Sequence, residues 1–141
     1  MKLSAFFLLA VLGAALTAAA PPSLRQTIQA SRWKKRILLV AAPTAGQVEF
    51  QDQKKLLAAA PEQLRERDVL VLNVLHDQLT PADRQFLQQE LRLKLTGLEI
   101  VLIGKDGGVK ERSSRPLAPA TLFGTIDKMP MRRQEMRGRG H

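Results

Sequence analysis

Leu98-Glu99-Ile100-Val101-Leu102-Ile103-Gly104-Lys105-Asp106-Gly107-Gly108-Val109-Lys110-Glu111-Arg112 is the stretch on which the fold turns. Leu98 to Ile103 is an apolar run of strand length, interrupted only by Glu99. Asp106-Gly107 then signals a tight turn, because hairpin turns need residues that accept positive φ. Val109 to Arg112 holds too few apolar residues for a central strand, so it reads as the edge strand of an antiparallel hairpin. A small flavodoxin-like sheet, the alternative arrangement, would need a helix after Ile103 where this sequence has a turn.

Upstream, Ile37-Leu38-Leu39-Val40-Ala41-Ala42 is continuously apolar and stops at Pro43. Such a run suits a strand covered on both faces of a sheet. From Gly46 to about Leu64, Phe50, Leu57 and Leu64 recur every seven residues, with Leu56 and Ala60 widening the stripe. Pro61 predicts a break inside that helix. Asp68 opens a second apolar run, Val69 to Leu75. Thr80-Pro81-Ala82-Asp83 is a helix start: a capping hydroxyl, a proline at the first helical position and an acid at the positive end of the dipole. That helix is expected to turn Phe86, Leu87, Leu91 and Leu95 inward and to stop near Gly97. Downstream of the hairpin a last helix starts near Pro119, buries Leu122, Phe123 and Ile126, and ends at Pro130.

The order is therefore β-α-β-α-β-β-α. A βαβ unit followed by a hairpin and a closing helix is the minimal thioredoxin-like arrangement, a three-layer α/β sandwich. The first three strands are joined through helices and lie parallel or mixed in one sheet. Residues 1–19 read as a signal peptide, 20–32 as a flexible or weakly helical lead, 33–130 as the domain and 131–141 as a basic tail.

The chain has 141 residues, enough for one domain, and 45% of them are apolar, enough for a packed core. It contains no cysteine. That removes disulfides, thiolate metal sites, iron–sulfur clusters, thiol nucleophiles and dithiol redox chemistry. Two histidines make a zinc site built from protein alone an unpromising reading. Lys2, the apolar stretch Ala5 to Leu16 and the small residues Thr17 to Ala20 have the layout of an export signal, with cleavage expected after Ala19. The alternative is a retained N-terminal anchor over the 18 uncharged residues Leu3 to Ala20. Either way the domain is expected outside the cytoplasm, periplasmic or secreted.

The net charge of +9 is gathered at the ends. Arg25, Arg32, Lys34, Lys35 and Arg36 occur without an acid, and the tail carries Lys128, Arg132, Arg133, Arg137 and Arg139 against Asp127 and Glu135. Between Ile37 and Ile126, 11 bases balance 11 acids. A neutral body with basic extremities attracts polyanions through those extremities. Nucleic acid is not the expected partner, because the protein reads as exported and no aromatic residue interleaves with the basic tail.

Leu102 to Ser114 (LIGKDGGVKERSS), Thr125 to Arg137 (TIDKMPMRRQEMR) and the opening Trp33-Lys34-Lys35-Arg36-Ile37-Leu38-Leu39 together resemble the P-DUDES family. This is a peroxiredoxin-like domain of unknown function in bacterial exported proteins, similar to domains of vertebrate sushi-repeat and related extracellular-matrix proteins. The resemblance spans Trp33 to Arg137, and MPMRRQEM is its most specific element. It implies a thioredoxin-like fold with no established activity. Redox-active relatives of that fold carry the reactive cysteine just after the first strand, where this chain has Pro43-Thr44-Ala45-Gly46-Gln47-Val48. The proline that commonly precedes the strand entering the hairpin is replaced by Thr96-Gly97-Leu98. Both departures tell against peroxidase or disulfide-exchange activity.

Two candidate sites follow. Thr44, His76 and Asp77 fall after the first two strands, where loops of parallel sheets gather, and these residue types can perform general-base chemistry if they converge. The second candidate is the Met/Arg-rich C-terminal segment Met131, Arg132, Arg133, Gln134, Glu135, Met136 and Arg137, helped by Lys34 and Lys35. Soft methionines beside guanidinium groups suit docking onto an unknown acidic protein or a polyanionic envelope component. On that reading Met131 to His141 can be removed with the fold intact. Ser113-Ser114 lacks a nucleophile elbow. The glycines of the hairpin lack phosphate-loop spacing and lead into a strand. Asp77, Asp83 and Asp106 are too scattered for a calcium loop. The sequence thus calls for no cofactor and no metal, and favours a non-catalytic binding domain over a cysteine-independent enzyme.

Overall fold

The structure, a computed structural model, describes residues 18–140. The export signal expected at residues 1–19 lies, but for its last two residues, outside that range. The elements are α1 (Leu24–Ser31), β1 (Arg36–Ala42), α2 (Val48–Ala58), α3 (Pro61–Glu66), β2 (Val69–Leu75), α4 (Pro81–Gln89), β3 (Glu99–Ile103), β4 (Val109–Ser113), α5 (Pro119–Asp127) and α6 (Pro130–Gly138). One four-stranded sheet has the order β2-β1-β3-β4. β1 pairs parallel with β2 and antiparallel with β3, and β3 pairs antiparallel with β4. This is the thioredoxin-like topology that the hairpin at Gly104–Gly108 required.

β1 is buried along its whole length, as the continuous apolar run Ile37–Ala42 demands, and its first residue, Arg36, is buried with it. Leu38, Val40 and Ala42 face one apolar layer with Phe50, Leu57 and Leu64 of α2 and α3 and Leu122 and Ile126 of α5. Ile37, Leu39 and Ala41 face the other, with Phe86 and Leu87 of α4. Helices therefore cover both sheet faces and form three layers. Pro61 breaks the α2–α3 segment by sitting in the first turn of α3, where its missing N–H costs nothing. The Thr80 hydroxyl accepts the Asp83 N–H at 3.1 Å and caps α4. Gly107, at φ 85°, provides the left-handed step of the hairpin turn.

Three expectations need correction. The lead at 20–32 is not wholly flexible: Leu24–Ser31 is helical, started by a reciprocal Ser23–Gln26 capping box. Its Leu24 and Ile28, four residues apart, pack on the α4 side of the core. Next, α4 stops at Gln89, not near Gly97. Beyond it the chain is irregular, with Arg92 and Leu95 left-handed at φ 60° and 57°. Leu91 and Leu93 are buried between exposed Arg92 and Lys94. The Glu99 carboxylate accepts the N–H groups of Lys94 and Leu95 at 2.9–3.2 Å and fixes this segment. Finally, Pro130 ends one helix and begins another. Residues 130–138 are not a loose tail but α6, packed onto the body by Arg132, which is 1% exposed. Removing Met131 to His141 would strip ion partners from Arg36 and Lys105, so the segment is part of the domain.

Candidate functional site

The C-terminal ends of β1 and β2 lie side by side, because those strands are parallel and in register from Arg36–Val69 to Ala42–Leu75. Thr44 and His76-Asp77 follow at that edge. Thr44 and Asp77 are exposed, whereas His76 is only 7% exposed. Burial depresses the His76 pKa, with Arg84 adding to the effect and Glu99 and Asp77 opposing it. Its Nε2 finds no hydrogen-bond partner, and its backbone carbonyl accepts a 2.8 Å bond from Arg84. No hydrogen bond links the three side chains among the described residues. Topology brings them to one edge but does not assemble them as a base and a nucleophile.

The opposite edge holds the charge. Arg36 begins β1, Asp68 immediately precedes β2 and Lys105 lies two residues beyond β3, so topology places them together. Arg36, 1% exposed, donates to the Arg67 carbonyl at 2.8 Å and to both Glu135 carboxylate oxygens at 3.2–3.3 Å. Lys105 Nζ donates to Asp68 at 2.9 Å and to Glu135 at 2.6 Å. Arg132 donates to Asp127 at 3.1 Å, to the Glu66 carboxylate at 2.8 Å and to the Glu66 carbonyl at 3.3 Å. Arg67 grips Asp127 with two bonds at 2.8–2.9 Å and lies 4.4 Å from the centre of the Phe123 ring. Four cations, Arg36, Arg67, Lys105 and Arg132, thus meet four carboxylates, Glu66, Asp68, Asp127 and Glu135.

The titration of these acids follows from their partners. Burial alone would raise Glu135, but Lys105 and Arg36 outweigh it and hold its pKa below the usual range. Asp68 is likewise held down by Lys105 and Lys35 against burial. Arg67 lowers Asp127 first, with Arg132 adding to it.

Arg132 and Glu135, expected at a contact surface, are therefore consumed inside the protein. Arg133, Gln134 and Arg137 take the outer side of α6, and Met136, one turn beyond Arg132, is exposed at its margin. Met131 is half-buried. It lines a cavity of about 110 Å³ with Arg36, Lys105, Lys110, Met129 and Pro130. Lys34 and Lys35 are exposed at the same edge, Lys35 lying 3.7 Å from Asp68.

Between Arg32 and Lys34 stands a residue that the sequence reading did not single out as a contact. Trp33 is 60% exposed and left-handed at φ 66°. Its N–H donates to the Lys105 carbonyl at 2.6 Å, and the Arg32 guanidinium lies 5.4 Å from its ring centre. A bulky residue in that conformation costs about 1–2 kcal/mol, and here burial does not offset it. The available signal was a lone tryptophan inside a basic run. Among the described residues no group of three or more His, Asp or Glu side chains is placed to hold a metal ion. No described helix is long and apolar enough to cross a membrane.

Comparison with known proteins fixes the family. Residues 27–135 match the family described as Domain of unknown function (DUF4174), and the chain belongs to it. The human sushi repeat-containing protein SRPX is 31% identical over 114 residues, covering 73% of this chain and 25% of that protein. Coiled-coil domain-containing protein 80 of Danio rerio is 26% identical over 140 residues, 82% of this chain and 16% of that protein. The chain thus spans a quarter or less of the length of these curated relatives. The reduced 2-Cys peroxiredoxin of Plasmodium vivax superposes with a TM-score of 0.57 at 16% identity, over 78% of this chain and 72% of that one. At that identity the likeness shows the fold. The peroxiredoxin-like resemblance read from the sequence holds, and the cysteine-free chain cannot carry peroxiredoxin thiol chemistry.

Proposed function

We propose that this member of the DUF4174 family is an exported, non-catalytic docking domain whose contact surface is the basic edge closed by α6. The surface comprises Arg133, Gln134, Met136 and Arg137 on the helix, with Trp33, Lys34 and Lys35 in the loop before β1. Its partner presents clustered carboxylate, sulfate or phosphate groups. One observation carries the reading: the structure spends Arg132 and Glu135 on holding α6 in place, while Arg133, Arg137 and Lys34 form no ion pair among the described residues and remain exposed. Met136 and Trp33 add apolar surface among those cations. Arg and Trp, set amid exposed surface, are the residue types that dominate binding interfaces. The notch lined by Met129, Pro130 and Met131 offers a place for an apolar side chain of an acidic partner.

The test is retention on a sulfated polysaccharide matrix at physiological salt, beside affinity capture from the native envelope. Binding should weaken as salt rises. Arg133→Glu with Arg137→Glu should elute at clearly lower salt with unchanged thermal stability, and Trp33→Ala should weaken envelope capture. Elution indifferent to the two reversals would remove the proposal. Matrix binding without envelope capture points to a polysaccharide, and the reverse to an acidic protein.

A further inference from the structure

The body between Ile37 and Ile126 is neutral in sum but not evenly so. Arg92, Lys94 and Arg112 line one groove of about 230 Å³, and all three are exposed. Among the described residues none of these side chains makes an ion pair or a hydrogen bond. Glu99 is the only acid in the wall, and its carboxylate is committed to the N–H groups of Lys94 and Leu95. The floor is apolar, with Leu93 and Val101 buried in it. Register explains the convergence. Arg112 is the cross-strand partner of Val101, so it stands on the sheet face against which Leu93 packs. α4 stops at Gln89, and the chain beyond it lies against that face with Arg92 and Leu95 left-handed. Two such residues within four strain the backbone, and the strained segment carries two cations to the side of a third. Glu99 pairs with Ala41, and Leu75 with Ala42. The groove therefore opens at the sheet end where loops after parallel strands gather ligands, the end away from α6.

We propose that this groove is a binding site for phosphate monoesters of small organic molecules, independent of the contact surface at α6. With a second pKa of about 6, a phosphate monoester is close to a dianion at neutral pH. Three unpaired cations match a dianion better than a singly charged carboxylate or sulfate ester. The guanidinium forks of Arg92 and Arg112 suit a tetrahedral oxyanion that accepts paired N–H groups. The hydroxyl of Ser114, exposed in the same wall, supplies a further donor. The organic group of the ester rests on the apolar floor, which inorganic phosphate leaves uncovered.

Titration calorimetry at neutral pH with phenyl phosphate, phenyl sulfate and inorganic phosphate tests the site. Phenyl phosphate should bind about fivefold more tightly than phenyl sulfate, the worth of one more exposed ion pair, and more tightly than inorganic phosphate. Arg112→Gln should weaken phenyl phosphate about fivefold with an unchanged Tm. Arg92→Asn separates binding from stability, because asparagine tolerates the left-handed region better than arginine. It should raise Tm while weakening the same ligand. Arg133→Glu with Arg137→Glu should leave this binding as it is, which distinguishes the groove from the α6 edge. No binding of phenyl phosphate overturns the proposal, as does binding lost with the α6 reversals and kept in Arg92→Asn and Arg112→Gln. Phenyl sulfate bound as tightly as phenyl phosphate overturns the choice of a dianion. Inorganic phosphate bound as tightly as the ester overturns the role of the floor.

Discussion

Arg132 and Arg133 are adjacent in sequence, chemically identical and opposite in fate, so replacing each by methionine tests how α6 is held. Arg132 is 1% exposed and makes three charge-assisted hydrogen bonds. Each such bond contributes about 1.5–3 kcal/mol when fully buried, but the partners here are not. The Glu66 carboxylate is half-exposed, so that pair is worth at most about 1 kcal/mol. Asp127 is one-third exposed and keeps Arg67 after the substitution. Discounting both leaves about 2–3 kcal/mol for Arg132→Met, whose side chain retains most of the arginine's packing. For a domain of this size that corresponds to a fall of about 8–12 °C in Tm. Arg133→Met, on the exposed side, should change stability by no more than about 0.5 kcal/mol. Urea and thermal unfolding of both variants give the answer. A cycle of Arg132→Met with Asp127→Asn should recover about 1 kcal/mol of coupling. Equal shifts for the two methionine variants, or a neutral Arg132→Met, would refute the assignment of α6 to the folded body.

Acid should loosen the same edge. Asp68, Asp127 and Glu135 all titrate below their ordinary values in the folded protein. Their stabilisation is complete above the unfolded pKa near 4 and is lost as pH falls through the folded values; the urea midpoint should drop there, with α6 signals lost first by NMR. Burial depresses His76, so the unfolded chain protonates before the folded one, and stability complete above about pH 6.5 declines as pH falls below it. His76→Leu should flatten the dependence of the urea midpoint between pH 7 and 5, and an unchanged slope would show that another group titrates there.

What the sequence revealed was what local pattern and turn chemistry dictate. Asp106-Gly107 set the hairpin, Pro61 divided a helix, and Thr80-Pro81 started α4 where the hydroxyl caps it. The end of α4 was not legible: Leu87, Leu91 and Leu95, spaced by four, read as a helical face, whereas the helix ends at Gln89 and Arg92 and Leu95 turn left-handed. Position in the sheet was not legible. Val69–Leu75 is, but for Asn73, as apolar as Ile37–Ala42, yet one strand is an edge and the other central, because strand order depends on crossovers more than on composition. The fate of the basic C-terminus was hidden for a similar reason. Whether an arginine is solvated or buried is decided by carboxylates distant in sequence, and the partners of Arg132 include Glu66, contributed by α3.

The charge network also answers why α6 presents one particular side outward. The helix has few apolar residues, so no hydrophobic stripe fixes its rotation about its own axis. Arg132 and Glu135, three residues apart, stand on the same side of the helix. Each is bonded to a group anchored to the body: Glu66 of α3 for Arg132, and Arg36 and Lys105 at strand ends for Glu135. Two ion-pair anchors one turn apart fix rotation as well as position. Apolar replacements at both positions could restore stability, since buried ion pairs are often matched by well-packed hydrophobic residues. They would leave the helix free to roll, because a methionine has no geometric demand on its neighbours comparable to a guanidinium on a carboxylate. Arg133 and Arg137, four residues apart and thus on one side, keep a fixed setting relative to Trp33 only while the inward pair holds. A variant with methionine at both 132 and 135, stable yet weakened in anion binding, would separate the two roles: the buried charges orient the exposed ones.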